Sequence, residues 1–439
     1  MSQAGHAQAV LDHLRTPLYR NAYALIASNL LSSVLGIVYW SLAARLYRVD
    51  ELGQSAAVIS TMLFLSGVAQ LNLRMALIRL VPEAGPRTAR LVWTAYLLSL
   101  AVTGIVGLVV FLVLAATGSA VLAPSGLATA GGVAFLVVST MVWTLFNLQD
   151  GVLAGLRRTL WVPVENGLYG VAKIALLVGL VVAMPSLGIL VSWFVPMALA
   201  VLLVTSALAW RWIPAHEAAS PGRALAMGRA TLLRFVAADY VGSLFALAVT
   251  SLLPVLIVAA SGARDGAYFY IVWTISTSLN LLPVNMAASM TVETIHAEAD
   301  LGVATRRVAI HMARALVPMV LVVVVFGDWI LQVFGPDYAS GGATSLRLLA
   351  VGVLPCAVNT LYLATLRIHG RGRQIMIVQA VLAALTLGGS LLLIGPLQIT
   401  GVALAWLIAQ SSVAAVVGLG RVWPLISSAR VAERAGSSA

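Results

Sequence analysis

The sequence predicts an all-α polytopic membrane protein of about twelve transmembrane helices, built as two pseudo-symmetric six-helix lobes around a central cavity. Three observations carry that prediction. Of 439 residues, 61% are hydrophobic and only 9% charged, with a mean hydropathy of +1.00, whereas a soluble domain carries about 25% charged residues. The apolar residues gather in runs long enough for the ~20 residues that cross a bilayer as a helix. The longest polar interval, 213–232, lies midway and leaves six runs on each side.

Taken in order, residues 1–21 contain Asp12, Arg15 and Arg20 and no cleavable apolar core. They are expected to be a cytoplasmic N-terminal segment, with the first span as insertion signal. The first lobe, 22–212, holds runs at 22–45, 53–80, 90–116, 127–149, 160–183 and 188–212. Residues 213–232, "IPAHEAASPGRALAMGRATL", are rich in Pro, Ala and Gly and predict a cytoplasmic linker. The second lobe, 233–422, holds runs at 233–260, 267–291, 308–334, 343–367, 374–395 and 398–422, followed by a cytoplasmic tail, 423–439. Runs five and six, and eleven and twelve, are separated by very short turns.

Orientation follows from arginine. With a cytoplasmic N-terminus, every arginine except Arg45, Arg48, Arg264 and Arg347 falls on the inner side or just within its edge, the positive-inside bias. The +11 net charge therefore reads as topology and contact with anionic membrane lipids, not nucleic acid. The halves are faintly alike: "GVLAGLRRTLWVPVENGLYG" after run four matches the style of "LYLATLRIHGRGRQIMIVQA" after run ten. Spans repeated in the same order and orientation predict parallel repeats about an axis along the membrane normal, with a cavity between them and alternating access as its use.

Several classes are disfavoured. The outer connections are too short for a folded catalytic domain, which argues against a membrane glycosyltransferase or polymerase. Asp50–Glu51 reads as a helix-capping turn. The sole cysteine, Cys356, permits neither an internal disulfide nor a cysteine metal cluster, and reads as packing. No histidine pair has zinc spacing, and no glycine loop cradles a phosphate. The chain is expected not to be an enzyme, with no cofactor beyond a coupling ion, H+ or Na+.

Ionisable groups at membrane depth are functional candidates by default. Lys173, the only lysine among 26 Lys and Arg residues, lies ~18 Å along the fifth span, near the middle of a ~30 Å core. Its stem cannot reach either interface. Glu165, Tyr169 and Lys173 recur at i, i+4 and i+8 with Asn166 beside them, so one stripe must face the interior. Two readings stand for Lys173: a buried pair with Asp239 or another acid, or a cavity-lining contact for an anionic substrate. Asp239 on the seventh span and Glu165 are candidates for ion coupling, although Glu165 could equally pair with Arg157 or Arg158. Arg74, with a fork suited to phosphate, is placed either in the cavity or at the interface. On the eighth span Tyr270, Trp273, Thr277 and Asn280 form a softer stripe, suited to stacking on and hydrogen-bonding a sugar or to helix packing.

The stretches "RNAYALIASNLLSSVLGIVYWSLAARLYRVDELGQSAAVISTMLFLSGVAQLNL", "VPVENGLYGVAKIALL", "AYFYIVWTISTSLNLLPVNMAASMTVE" and "VFGPDYASGGATSLRLLAVGVLPCAVNTLYLATLRIHGRGR" resemble polysaccharide-biosynthesis, O-antigen-type flippases of the multidrug/oligosaccharidyl-lipid/polysaccharide (MOP) exporter superfamily. The resemblance is diffuse but runs in order over nearly the whole chain. It implies a bacterial cytoplasmic-membrane protein with both termini inside, moving an undecaprenyl-pyrophosphate-linked or similar polyprenyl-linked oligosaccharide to the outer leaflet. It also implies a polysaccharide polymerase or glycosyltransferases as partners. Lys173, Arg74, Tyr169, Asn166, Trp273 and Asn280 are then the substrate-binding candidates. Two alternatives remain: a cation-coupled multidrug-type exporter of the same fold, and a non-transporting membrane partner of a polysaccharide synthase. Drug exporters of the superfamily that couple to protons place an acid in the first span, and 22–45 has none.

Overall fold

The computed structural model describes residues 17–122, 127–220, 229–297 and 301–424, with side chains described except at 17–30, 229–239, 292, 293 and 295–297. Among the described residues the regular structure is entirely helical. A chain this apolar must satisfy its backbone polar groups within each span, and the helix does that locally. The helices are α1 (Pro17–Leu46), α2 (Val49–Ala69), α3 (Leu73–Ala84), α4 (Thr88–Ala116), α5 (Ala130–Gly155), α6 (Trp161–Leu180), α7 (Gly188–Ala207), α8 (Ile213–Ala218), α9 (Arg229–Ser261), α10 (Ala263–Ala297), α11 (Leu301–Gln332), α12 (Pro336–Ile368) and α13 (Gly372–Val417). Nine described stretches are long and apolar enough to cross a membrane. With α1, α6 and the two arms of α13, each predicted run falls on helix.

Three runs differ in detail. The second, expected as one span over 53–80, is broken: α2 ends at Ala69 and α3 starts at Leu73, because Leu71 (φ 48°) and Asn72 (φ 54°) take the left-handed conformation. Asparagine adopts that conformation at low cost; leucine does not. Runs eleven and twelve are the arms of α13, which reverses at Gln398 (φ 51°, ψ −135°) just after Pro396. Residues of its two arms, such as Gly389 and Ala405, pack against each other.

The chain divides into two compact units. The first comprises Met1–Leu46, Leu65–Thr117 and Gly126–Val236; the second comprises Tyr47–Phe64, Gly118–Ser125 and Ala237–Ala439.

In the first unit α1 packs on α6, α5 on α3 and α4, and α7 on α5 and α6. The α3–α5 contact is unusually close. Gly151 and Gly155, spaced as a small-xxx-small motif, lie against the Arg74 backbone and against Val81 and the Leu77 carbonyl, which lets the two backbones meet. A core of Leu77, Val81, Val92, Tyr96, Leu148, Val152 and Trp212 fills the space around them. The side chain of Glu217 on α8 accepts the Ala89 N–H at 2.8 Å, closing the start of α4. The opposite faces of these helices expose Leu97, Ile105, Leu168 and Leu202, the surface a lipid-embedded helix presents.

In the second unit α12 is central and packs on α10, α11 and α13. Gly341 lies under the Tyr268 ring and Gly352 under the Trp406 indole. Where α10 begins, Gly53 of α2 sits on the Ala263 carbonyl, and Arg264 donates to the Tyr268 hydroxyl at 2.9 Å while pairing with Asp337 at 3.7 Å.

Candidate functional site

The stripe predicted on α6 is buried. Glu165 (5% exposed), Tyr169, Lys173 (7%) and Leu177 face the interior of the unit, while Val164, Leu168, Val171 and Val178 face outward. The Lys173 ammonium touches no acid among the described residues. It sits instead in a box of aromatic rings, with its nitrogen 4.0 Å from the Trp193 ring centroid, 4.7 Å from Tyr39 and 5.0 Å from Tyr169. The negative faces of these rings are what hold the charge.

The box is itself braced. The Tyr39 hydroxyl donates to the Ile189 carbonyl at 3.0 Å and lies 2.9 Å from Ser192 Oγ, tying α1 to α7. The Tyr39 ring meets Trp40 and Trp193 edge-on, and Tyr169 leans on Phe146. Trp143 joins Phe146 and Trp193 from α5. The sequence pointed to Tyr169 but not to Tyr39 or Trp193, whose aromatic character alone does not separate them from other membrane tryptophans and tyrosines.

A second polar group lies in the same unit. Arg74, beside the α2–α3 break, pairs with Asp150 of α5 at 3.6 Å, the arginine half-exposed and the aspartate largely buried. Among the described residues Arg74 Nε, Asp150 Oδ1, the Tyr96 hydroxyl and both oxygens of Glu165 are buried without a hydrogen-bond partner. Asp150 and Glu165 are close enough to interact electrostatically with each other and with Tyr96. The alternative pairing of Glu165 with Arg157 or Arg158 is therefore not formed. Asn166 donates to the Val162 carbonyl of its own helix at 3.0 Å and is only partly buried. The Asp239 side chain lies outside the described residues.

The second unit contains a cavity of about 320 Å³ between α9, α10, α12 and α13. From the predicted α10 stripe, Trp273, Thr277 and Asn280 line it, and Tyr270 does not. Six polar lining residues that the sequence did not single out share the wall: Thr250, Asn359, Thr360, Gln379, Thr386 and Gln410. Cys356, expected to serve packing, is also on this wall. Trp406 stands edge-to-face with Trp273 at 5.7 Å, and the Trp273 indole N–H donates to the Thr250 carbonyl at 3.0 Å. Uncharged amides and hydroxyls inside apolar spans barely lower a hydropathy window, so only their positions in space reveal them. Among the described residues no cluster of His, Cys, Asp and Glu could hold a metal.

No protein-family model matches the sequence, and no curated protein matches it. Solved structures do match over nearly the whole chain. A lipid II flippase MurJ in an inward closed conformation is similar, with TM-score 0.68 and 10% identity over 90% of this chain and 86% of its own. An inward-facing multidrug resistance MATE family transporter of the MOP superfamily is similar, with TM-score 0.64 and 17% identity over 92% and 95%. An outward-facing structure of that kind gives TM-score 0.60 and 16% identity over 93% and 96%. The chain therefore has the polytopic helical fold that these flippases and multidrug transporters share.

Proposed function

We propose that this chain is a transporter of the MOP type that flips a polyprenyl-pyrophosphate-linked oligosaccharide across the bacterial cytoplasmic membrane by alternating access. The fold is compatible with this reading and with drug export alike. The single observation that favours the flippase is Lys173, deep within the fifth span, held by three rings and by no carboxylate among the described residues. Rings do not neutralise an ammonium, so a protonated Lys173 would set a positive charge where a diphosphate would otherwise lose its water and counter-ions at a prohibitive Born cost. Arg74 adds a second cation, half-exposed and only loosely engaged by Asp150. Glu165 and Asp150 are the acids we assign to proton coupling, with Asp239 retained as a further candidate.

Complementation tests the proposal. In a strain lacking the gene, Lys173→Ala at matched expression is expected to lose surface polysaccharide and trap lipid-linked precursor inside, with Lys173→Arg restoring part of both. Normal polysaccharide without precursor accumulation in the deletion itself would refute the flippase reading.

A second reading, a cation-coupled multidrug-type exporter, is favoured by the buried Glu165 carboxyl, which has no hydrogen-bond partner among the described residues. Drug sensitivity of the deletion strain, restored by the wild-type gene, would select it.

A further inference from the structure

We infer that the cavity of the second unit is a binding site for a neutral saccharide rich in hydroxyl and amide groups, seated against Trp273 and Trp406 and hydrogen-bonded by Asn280, Asn359 and Thr386. The inference deepens the proposed function, on which its biological meaning rests, by giving the glycan portion of the cargo a seat of its own.

The wall dictates the ligand class. Among the described residues it contains no Asp, Glu, Lys, Arg or His, so there a phosphate or carboxylate finds no counter-charge and an organic cation finds no carboxylate. Three buried polar atoms of the wall have no hydrogen-bond partner among the described residues. The Asn359 side-chain nitrogen is committed to Gln410, donating to its backbone carbonyl at 3.0 Å and its side-chain oxygen at 2.8 Å. The Asn280 nitrogen donates to the Ser276 carbonyl at 3.2 Å. What each amide leaves buried and unpartnered is its oxygen, an acceptor, joined by the Thr386 hydroxyl. Asn359 is 2% exposed and Thr386 fully buried. Each unmet buried polar group costs about 1–3 kcal/mol, so the site is completed by a ligand that donates several hydrogen bonds.

Size and shape point the same way. A volume of about 320 Å³ corresponds to roughly ten waters, at the lower end of small-molecule sites and far beyond a bare monatomic ion. The indoles of Trp273 and Trp406 supply the apolar surface on which the C–H faces of a pyranose pack. Gly352 lies directly against Trp406 and fixes its position.

Cys356, the only cysteine in the chain and part of the wall, serves as reporter. Purified full-length protein would be titrated with N-acetylglucosamine by calorimetry, while alkylation of Cys356 by N-ethylmaleimide is followed with and without it. The saccharide is expected to bind and to slow alkylation, whereas inorganic pyrophosphate, glucuronate and tetraphenylphosphonium do neither. Removing one hydrogen bond with Thr386→Val, or with Asn359→Leu, is expected to weaken binding about tenfold, since 1.4 kcal/mol is a factor of ten. Absence of calorimetric binding to the native protein, or equal protection of Cys356 by tetraphenylphosphonium or sodium ion, overturns the inference. Should the native thiol prove unreactive, calorimetry with the Thr386→Val isostere decides alone: unchanged affinity overturns the site. Binding in detergent needs no turnover. Saccharide binding without lipid-linked transport would leave this site standing and remove the flippase reading; transport without saccharide binding would do the reverse.

Discussion

Replacing Lys173 by methionine isolates the charge from the packing, because the stem is kept and the ammonium removed. Burying an ammonium costs several kcal/mol even after relaxation. Against this stand three rings at 4.0, 4.7 and 5.0 Å, each within the ~6 Å range where a desolvated cation–π contact contributes about 2 kcal/mol. They share one charge, so their contributions fall short of additive, and the ammonium is at best neutral for stability. Lys173→Met should therefore leave the first unit as stable as before or stabilise it by about 1–2 kcal/mol, a rise of roughly 2–4 °C per kcal/mol for a unit of this size. Lys173→Ala, which also removes the stem, opens a void and should destabilise by about 2–5 kcal/mol. The assay is the apparent melting temperature in detergent, followed by intrinsic tryptophan fluorescence, beside complementation of the deletion strain. Stability retained with transport lost assigns the charge to the cargo. If Lys173→Met melts as low as Lys173→Ala, the ammonium is what holds the aromatic box together, and the argument for a functional charge fails.

Further expectations concern the surrounding packing and polar groups. Glu165→Gln removes a carboxylate with both oxygens buried and unpartnered; it should raise the melting temperature while flattening the pH dependence of transport in reconstituted vesicles, and a lowered melting temperature would contradict it. Arg74→Ala strands Asp150 and should cost about 1–3 kcal/mol, the lower end reflecting the half-exposed arginine; Arg74→Ala,Asp150→Ala measured as a double-mutant cycle should recover part of that loss. Gly155→Val places a side chain where an added Cβ already comes within 2.7 Å of Val81, so α3 and α5 must part at a cost of about 1–3 kcal/mol, visible as a lower melting temperature. Leu71→Gly relieves a left-handed leucine and should be neutral or stabilising by about 1 kcal/mol, checked by the same melt.

The spans were legible in the sequence because hydropathy is summed over ~20 residues and survives local noise. The α6 stripe was legible because charge is rare at that depth and the helical period is fixed. Less visible was the break at residues 70–72: "QLNLR" contains neither Gly nor Pro, and Asn72 is its one cue. The aromatic box was hidden for another reason. Tyr39, Tyr169 and Trp193 come from three helices, so their convergence on Lys173 is a property of packing that no single window contains. The amide wall of the second unit shares that difficulty, with Asn280, Asn359 and Gln410 contributed by different helices. Half of the α10 stripe's promise was readable; its partners across the cavity were not.

The uncharged cavity wall of the second unit has a practical reach beyond its ligand. Ionic strength acts by screening charge, and with no fixed charge among the described residues of that wall there is little for salt to screen. High salt would loosen contacts made by a half-exposed arginine such as Arg74 while leaving binding at Asn359 and Thr386 nearly unchanged. Polyols are different. Glycerol and sucrose carry the hydroxyl donors that those acceptors lack, so the cryoprotectants and osmolytes used to keep membrane proteins soluble would act here as competitors, and a titration made in their presence would understate the affinity of the site.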